Sequence, residues 1–88
     1  QNVPNPASEV TRITIQVRYS SLVGIQVYNV LGEEVAWLET RIVPEKQSAV
    51  FTVDVSHWAS GVYFYQVRAL IPGIGRLFHV AKKMMVIH

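Results

Sequence analysis

The sequence predicts an all-β chain that folds as an antiparallel sandwich or a small barrel. Apolar and polar residues alternate cleanly over positions 11–19, which is the period of a half-buried strand. Six or seven such segments follow one another, separated by Gly, Pro, Ser and Asn residues that favour turns. No segment carries apolar residues at the i, i+3, i+4 spacing of an amphipathic helix. Short strands at this spacing are typical of two packed antiparallel sheets.

Length and composition describe one small folded domain. The chain has 88 residues, of which 50% are hydrophobic. Only 16% are charged, against roughly 25% in an average domain, so a disordered chain is excluded. There is no cysteine, which excludes disulfides and thiolate metal sites. No uninterrupted apolar run approaches the ~20 residues of a membrane-spanning helix. A formal net charge of +2 is too small to indicate nucleic-acid binding.

The first eight residues have the composition of a linker. Pro4 and Pro6 fix their own backbone and disfavour helix at the residues before them. We interpret residues 1–8 as a linker that docks onto the domain through a short edge strand, and residues 9–88 as the domain itself. In the first full strand, at 11–19, one face is predicted to carry Ile13, Ile15, Val17 and Tyr19.

The same reasoning places the later strands. They are predicted at residues 22–30, 34–43, 49–55, 62–70 and 76–87, the last as one strand or a pair. Gly32 marks the first hairpin turn because glycine tolerates positive φ, and Pro44 and Pro72 mark later turns. Residues 56–61 are predicted to form a compact connection with one helical turn. The predicted core contains Ile13, Ile15, Val17, Phe51, Val53 and Tyr63.

No set of residues has the spacing of a catalytic or metal site. His57, His79 and His88 stand apart, and none pairs with another residue at metal-ligand spacing. Glu33 and Glu34 are neighbours, and neighbours on an extended chain point to opposite faces, so we interpret them as solvated charges beside a turn. The serines and glycines match neither a nucleophile elbow nor a phosphate loop. We therefore expect a protein that is not an enzyme and that has no catalytic residues, metal or cofactor.

The aromatic residues allow two interpretations. They could form a platform on which sugar rings stack, or they could fill the core, and in so small a domain core packing is favoured. A buried tyrosine hydroxyl near the start of a late strand is also typical of a tyrosine corner. The residues concerned are Trp37, Trp58, Tyr19, Tyr28, Tyr63 and Tyr65.

Four blocks of sequence resemble, in order, the motifs of one known family. Residues 3–6 (Val-Pro-Asn-Pro) resemble the family's Tyr-Pro-Asn-Pro opening. Residues 27–35 (Val-Tyr-Asn-Val-Leu-Gly-Glu-Glu-Val) resemble a block in which the family has Asp at position 29 and a basic residue at position 33. Residues 59–65 match an Ala-Ser-Gly-x-Tyr block, and residues 82–87 (Lys-Lys-Met-Met-Val-Ile) resemble the closing block. Together the four blocks resemble the C-terminal sorting domains of type IX secretion. The family-motif positions are Pro4, Asn5, Pro6, Tyr28, Asn29, Gly32, Gly61 and Tyr63.

The resemblance implies an immunoglobulin-like antiparallel β-sandwich of about seven strands at the end of a larger exported cargo. It implies that an outer-membrane export apparatus recognises the domain after transit through the periplasm. It also implies that a processing protease with transpeptidase activity removes the domain and attaches the cargo to surface lipopolysaccharide, so that the cargo ends at the cell surface or is secreted. The residues expected to be recognised during export are Lys82, Lys83, Met84, Met85, Val86 and Ile87.

Two other functions remain open from the residues. A carbohydrate-binding accessory module would require Trp37 or Trp58 to be exposed on one flat face. A structural or assembly spacer, similar to the immunoglobulin-like domain of the flagellar hook cap, would show no dependence on the closing residues. Binding of an export receptor would instead use strand edges and the closing block, and would be a protein–protein contact.

Overall fold

Seven strands form the protein in the computed structural model, which describes residues 2–3, 9–73 and 76–88. The strands are β1 (Asn2–Val3), β2 (Val10–Gln16), β3 (Ser21–Asn29), β4 (Glu34–Val43), β5 (Ser48–Asp54), β6 (Gly61–Ile71) and β7 (Arg76–Val86). The described residues contain no helix. They therefore include no helix that is long and apolar enough to cross a membrane.

The strands pair antiparallel in two sheets. One sheet has the order β1-β2-β5 and the other has the order β4-β3-β6-β7. The prediction of two antiparallel sheets is confirmed, with the seven strands expected of an immunoglobulin-like sandwich. The segment 76–87, predicted as one strand or a pair, is the single strand β7 at an edge of the larger sheet.

The inward faces of both sheets form one apolar core. Alternation along β2, β3 and β5 brings their apolar side chains to the same side, as the sequence predicted. β6 and β7 complete this core with two tyrosines, a valine and two residues of the closing block. The buried cluster is Ile13, Val23, Ile25, Val27, Val43, Phe51, Val53, Val55, Tyr63, Tyr65, Val67, Met84 and Val86.

Three predictions about the first strand need correction at its end. β2 ends at Gln16, and Tyr19 lies in the following bend with 52% of its surface exposed, so it does not share the buried face. Ile15 and Val17 are only half-buried and pack at the margin of the core. The reason is that both side chains line an open groove beside the inner face of β6 and β7.

The connection at residues 56–61 contains one hydrogen-bonded turn and no helical turn, and Gly61 is already the first residue of β6. The Trp58 amide donates to the Val55 carbonyl oxygen at 3.0 Å, which closes a single turn. Asp54 then holds Ser56 through its carboxylate, which accepts the Ser56 amide at 3.0 Å and the Ser56 hydroxyl at 2.6 Å. Because the side chain satisfies these donors locally, the chain reverses without a helix.

Candidate functional site

The second resembling block forms the turn between β3 and β4. The Asn29 side-chain oxygen accepts the amides of Leu31 and Glu33, both at 3.0 Å. The Gly32 amide donates to the Asn29 carbonyl oxygen at 3.0 Å, and Gly32 has a φ of 81°, in the left-handed region that favours glycine. Tyr28 precedes the turn, half-buried and opposite Phe64 of β6. The motif positions here are thus turn-forming residues.

The same turn explains why this chain has Asn at position 29 and Glu at position 33. The Asn29 side-chain amide donates to a Glu33 carboxylate oxygen at 2.9 Å. An aspartate at position 29 would place two carboxylates in contact, whereas an aspartate with a basic residue at position 33 would form an ion pair. The two departures from the family pattern therefore belong together, because they replace an ion pair between positions 29 and 33 with a hydrogen bond between the same positions. Their spacing of four residues across a turn was the sequence signal for this contact.

The third block forms a tyrosine corner at the start of β6. The Tyr63 hydroxyl donates to the Ala59 carbonyl oxygen at 2.7 Å, and the ring is 7% exposed. The Trp58 ring packs against it with 5.0 Å between centroids. Gly61 has a φ of 158°, and a Cβ there would meet no other atom within 4 Å. Glycine at position 61 therefore supplies a backbone conformation and not a close contact.

The closing block lies on β7, where alternation splits it between two faces. Met84 and Val86 are buried in the core, while Met85 and Ile87 are 39% and 49% exposed. Lys82 and Lys83 are both exposed. Being adjacent on a strand, the two lysines leave it on opposite faces, so the structure does not bring them together as one charged patch.

The last residue links the closing block to the third block, a contact that the sequence analysis missed. The His88 amide donates to the Ser60 hydroxyl oxygen at 2.9 Å. The His88 ring nitrogen Nε2 lies 3.2 Å from the Val55 carbonyl oxygen. The end of β7 is therefore held against the loop that follows β5.

The sandwich is open along one side. A groove of about 450 Å³ lies between the end of β2 and the inner face of β6 and β7. Elsewhere the Arg41 side chain joins β4 to β5, since its guanidinium carbon lies 4.2 Å from the centre of the Phe51 ring and it donates to the Val50 carbonyl oxygen. A smaller cavity of about 280 Å³ lies beside this contact. The groove is lined mainly by Ile15, Val17, Val67, Ala69, Ile71 and Val80.

The two tryptophans do not share a face. Trp37 is 50% exposed on the outer face of the larger sheet, above Gly24, where a Cβ would lie 3.3 Å from the Trp37 ring. Trp58 is half-buried beneath the corner and packs on Tyr63. The interpretation of the aromatics as core residues therefore holds for Trp58, Tyr63 and Tyr65 but not for Trp37 or Tyr19.

The histidines lie in a loop, on a strand and at the last residue, and His88 contacts the loop that carries His57. His57 is exposed in the loop after β5, and His79 is exposed on β7 with its Nδ1 atom 3.2 Å from the Gln66 side-chain amide. Within residues 2–3, 9–73 and 76–88, no three His, Asp or Glu side chains form a group that could hold a metal ion.

A family model for the secretion system C-terminal sorting domain matches residues 3–71. The chain belongs to this family. A search of curated proteins finds no match. The family match covers the second and third blocks, which form the turn and the corner, whereas the closing block lies beyond it. Pro4, Asn5 and Pro6 fall within the match but lie outside the described residues.

Membership of the family defines the role of this domain. It is a C-terminal sorting signal for type IX secretion, joined to an upstream cargo that is exported to the cell surface or secreted. The family is not known for enzymatic activity. A sorting signal acts by being recognised, so the exposed surfaces of the sandwich form the candidate site.

Proposed function

We propose that the export apparatus recognises the sorting domain at the free edge of β7. The observation that carries this proposal is the position of β7, which pairs with β6 on one side and faces no strand of the described chain on the other. An edge strand presents unpaired amide and carbonyl groups that an extended segment of a partner can bind. Met84 and Val86 hold β7 in the core, so the edge is presented by a fixed strand.

The side chains around this edge define the partner. Lys82 extends from the inner face and Lys83 from the outer face, so a partner strand laid along the edge would have an ammonium group on each side. Met85 and Ile87 add exposed apolar surface to the outer part of the same strand. The partner is therefore a strand of the export apparatus with carboxylates flanking an apolar centre.

For the route of the cargo we propose the one that the family resemblance implies. The cargo passes through the periplasm, where the folded domain meets the outer-membrane apparatus. A protease with transpeptidase activity then removes the domain, taken as residues 9–88, and attaches the cargo to surface lipopolysaccharide. The domain contributes no catalytic group to these steps. Fractionation of periplasm, surface and medium, with the mass of the cargo at each stage, tests this route.

The central experiment reverses the charge at β7. A reporter fused to the domain is expressed in a bacterium that has this export system, with Lys82→Glu and Lys83→Glu together. A control carries Arg12→Glu and Lys46→Glu, which change net charge equally at exposed sites on β2 and in the turn before β5. Both variants should remain folded, because surface substitutions usually change stability by about 0.5 kcal/mol or less. The β7 variant should hold the reporter in the periplasm and the control should not.

The apolar part of the block needs substitution and not deletion. Removing Met85 to His88 would also remove Val86, which is 1% exposed, and the His88 contacts with the corner loop, so loss of export would follow from unfolding. Met85→Asn with Ile87→Asn changes only exposed side chains. If folded variants of both kinds export the reporter normally, these side chains are not recognised, and the recognised surface lies elsewhere on the domain.

A further inference from the structure

The groove beside β2 adjoins a strand edge that is only partly used. β2 pairs with β5 along its whole length, from Val10 to Gln16. On its other edge β1 covers only Arg12 and Ile13. Beyond these two positions no strand of the described chain pairs with this edge, and the groove opens at the same place.

The register of β1 shows which part of the chain would come next. Val3 lies opposite Arg12 and Asn2 lies opposite Ile13. Because the pair is antiparallel, each earlier residue of the chain would lie opposite one later residue of β2. The residue before Gln1 would then face Ile15, and the third residue before Gln1 would face Val17.

We propose that the polypeptide immediately upstream of Gln1 continues β1 along the free edge of β2 and fills the groove. The inference rests on the proposed function only in requiring a cargo upstream of the sorting domain. The upstream segment is the expected occupant because β1 already pairs with the edge of β2 in this register, and the upstream direction of the chain leads from β1 to the groove. The segment that joins the domain to its cargo thereby lengthens β1 and is not a flexible connection.

The groove sets the side chains that the linker must carry. Residues opposite each other in an antiparallel pair point to the same face, and Ile15 and Val17 both line the groove. The first and third residues before Gln1 therefore point into a space walled by Val67, Ala69 and Val80. Apolar side chains are expected at those two positions, and polar side chains at the second.

The hydrogen bonds of the extended pair are fixed by the existing ladder. The Val17 amide donates to the Gln47 carbonyl oxygen at 3.1 Å, so the bonding groups of Val17 face β5. The backbone N–H and C=O groups of successive strand residues point to opposite edges of the strand, so those of Gln16 point to the edge of β2 that adjoins the groove. Gln16 would then exchange hydrogen bonds with the second residue before Gln1, while the Ile15 amide stays with β5.

Amide hydrogen exchange tests this pairing residue by residue. The chain of residues 1–88 is compared with the chain extended by a short stretch of its natural upstream sequence. The extension should slow exchange of the Gln16 amide by about tenfold or more, because the amide becomes protected in a ladder. The Ile15 amide is the internal control, and its exchange should change little.

Two matched pairs of variants separate docking from general stability. Proline at the second residue before Gln1 removes the amide that would donate to Gln16, so it should abolish the protection. Proline at the third residue before Gln1 removes an amide that points away from β2, so the protection should remain. Val80→Glu places a charge in the groove and should also abolish it. Val50→Glu is the control, because Val50 is 46% exposed against 47% for Val80 but does not line the groove.

The outcomes are distinct from those of the export assay. Unchanged exchange at Gln16 in the extended chain would overturn the inference, whether or not β7 variants block export. A concentration-dependent slowing of the Gln16 amide in the unextended chain would assign the groove to a second copy and would also overturn it. Protection that survives proline at the second position would rule out the register in which Gln16 pairs with that residue.

Discussion

Tyr63 offers the sharpest test of how the sandwich is stabilised. Its ring is 7% exposed and packs on Trp58, and its hydroxyl donates to the Ala59 carbonyl oxygen at 2.7 Å. Tyr63→Ala removes the ring from the core and should cost roughly 3–5 kcal/mol. Tyr63→Phe removes only the hydrogen bond and should cost about 0.5–1.5 kcal/mol. The first loss is a large share of the roughly 5–15 kcal/mol that stabilises a small domain.

The assay is urea unfolding followed by tryptophan fluorescence and circular dichroism. The midpoint should fall in the order wild type, Tyr63→Phe, Tyr63→Ala, with the slope of the transition unchanged. Phe64→Ala is the matched control, since Phe64 is the next residue along β6 but is 43% exposed, and it should cost about 1 kcal/mol or less. If Tyr63→Ala costs no more than Phe64→Ala, the corner does not stabilise the sandwich and the argument from burial fails.

Three further predictions concern the turns and the outer face. Asn29→Asp should destabilise the domain by about 0.5 kcal/mol through repulsion from the Glu33 carboxylate, and adding Glu33→Arg should restore the lost stability. The two changes are compared in a double-mutant cycle by urea unfolding, and simple additivity of their free energies would refute the pairing. The side-chain and backbone hydrogen bonds from Ser56 lower the pKa of Asp54. The stability that the ionised carboxylate contributes is therefore present above the usual aspartate pKa and is lost as the pH falls through the lowered pKa. Between neutral and acidic pH, the melting temperature should fall less for Asp54→Asn than for the wild type. Trp37 is the exposed tryptophan, so calorimetric titration with soluble oligosaccharides should give binding no tighter than about millimolar; a micromolar affinity that Trp37→Ala abolishes would favour the carbohydrate-binding alternative.

The strands were predictable because their signal is local. Alternation assigns Ile13, Phe51 and Val53 to one face of a strand whatever the strand lies against, and these three residues are buried. The turn at Gly32 was predictable for the same reason, because a positive φ is a property of a single residue.

The recognition surfaces were less predictable because they depend on how far one sheet covers the other. Alternation predicted that Ile15 would be as buried as Ile13, but Ile15 lies where the sheets part and lines the groove. Lys82 and Lys83 are adjacent in sequence, which suggests one basic patch, yet the pleat separates them. The His88 contacts join residues far apart in the chain, so no local sequence pattern predicts them.

The pairing of distant strands ties folding of the signal to completion of synthesis. β2 pairs with β5 and β3 pairs with β6, and Met84 and Val86 on β7 close the core. The larger sheet and the core can therefore be completed only after β7 has been synthesised, since the contacts that stabilise them are non-local. A ribosome that stops early releases a cargo without a folded signal. Because of this order of strands, a folded sorting domain forms only when the cargo that precedes it has been synthesised in full.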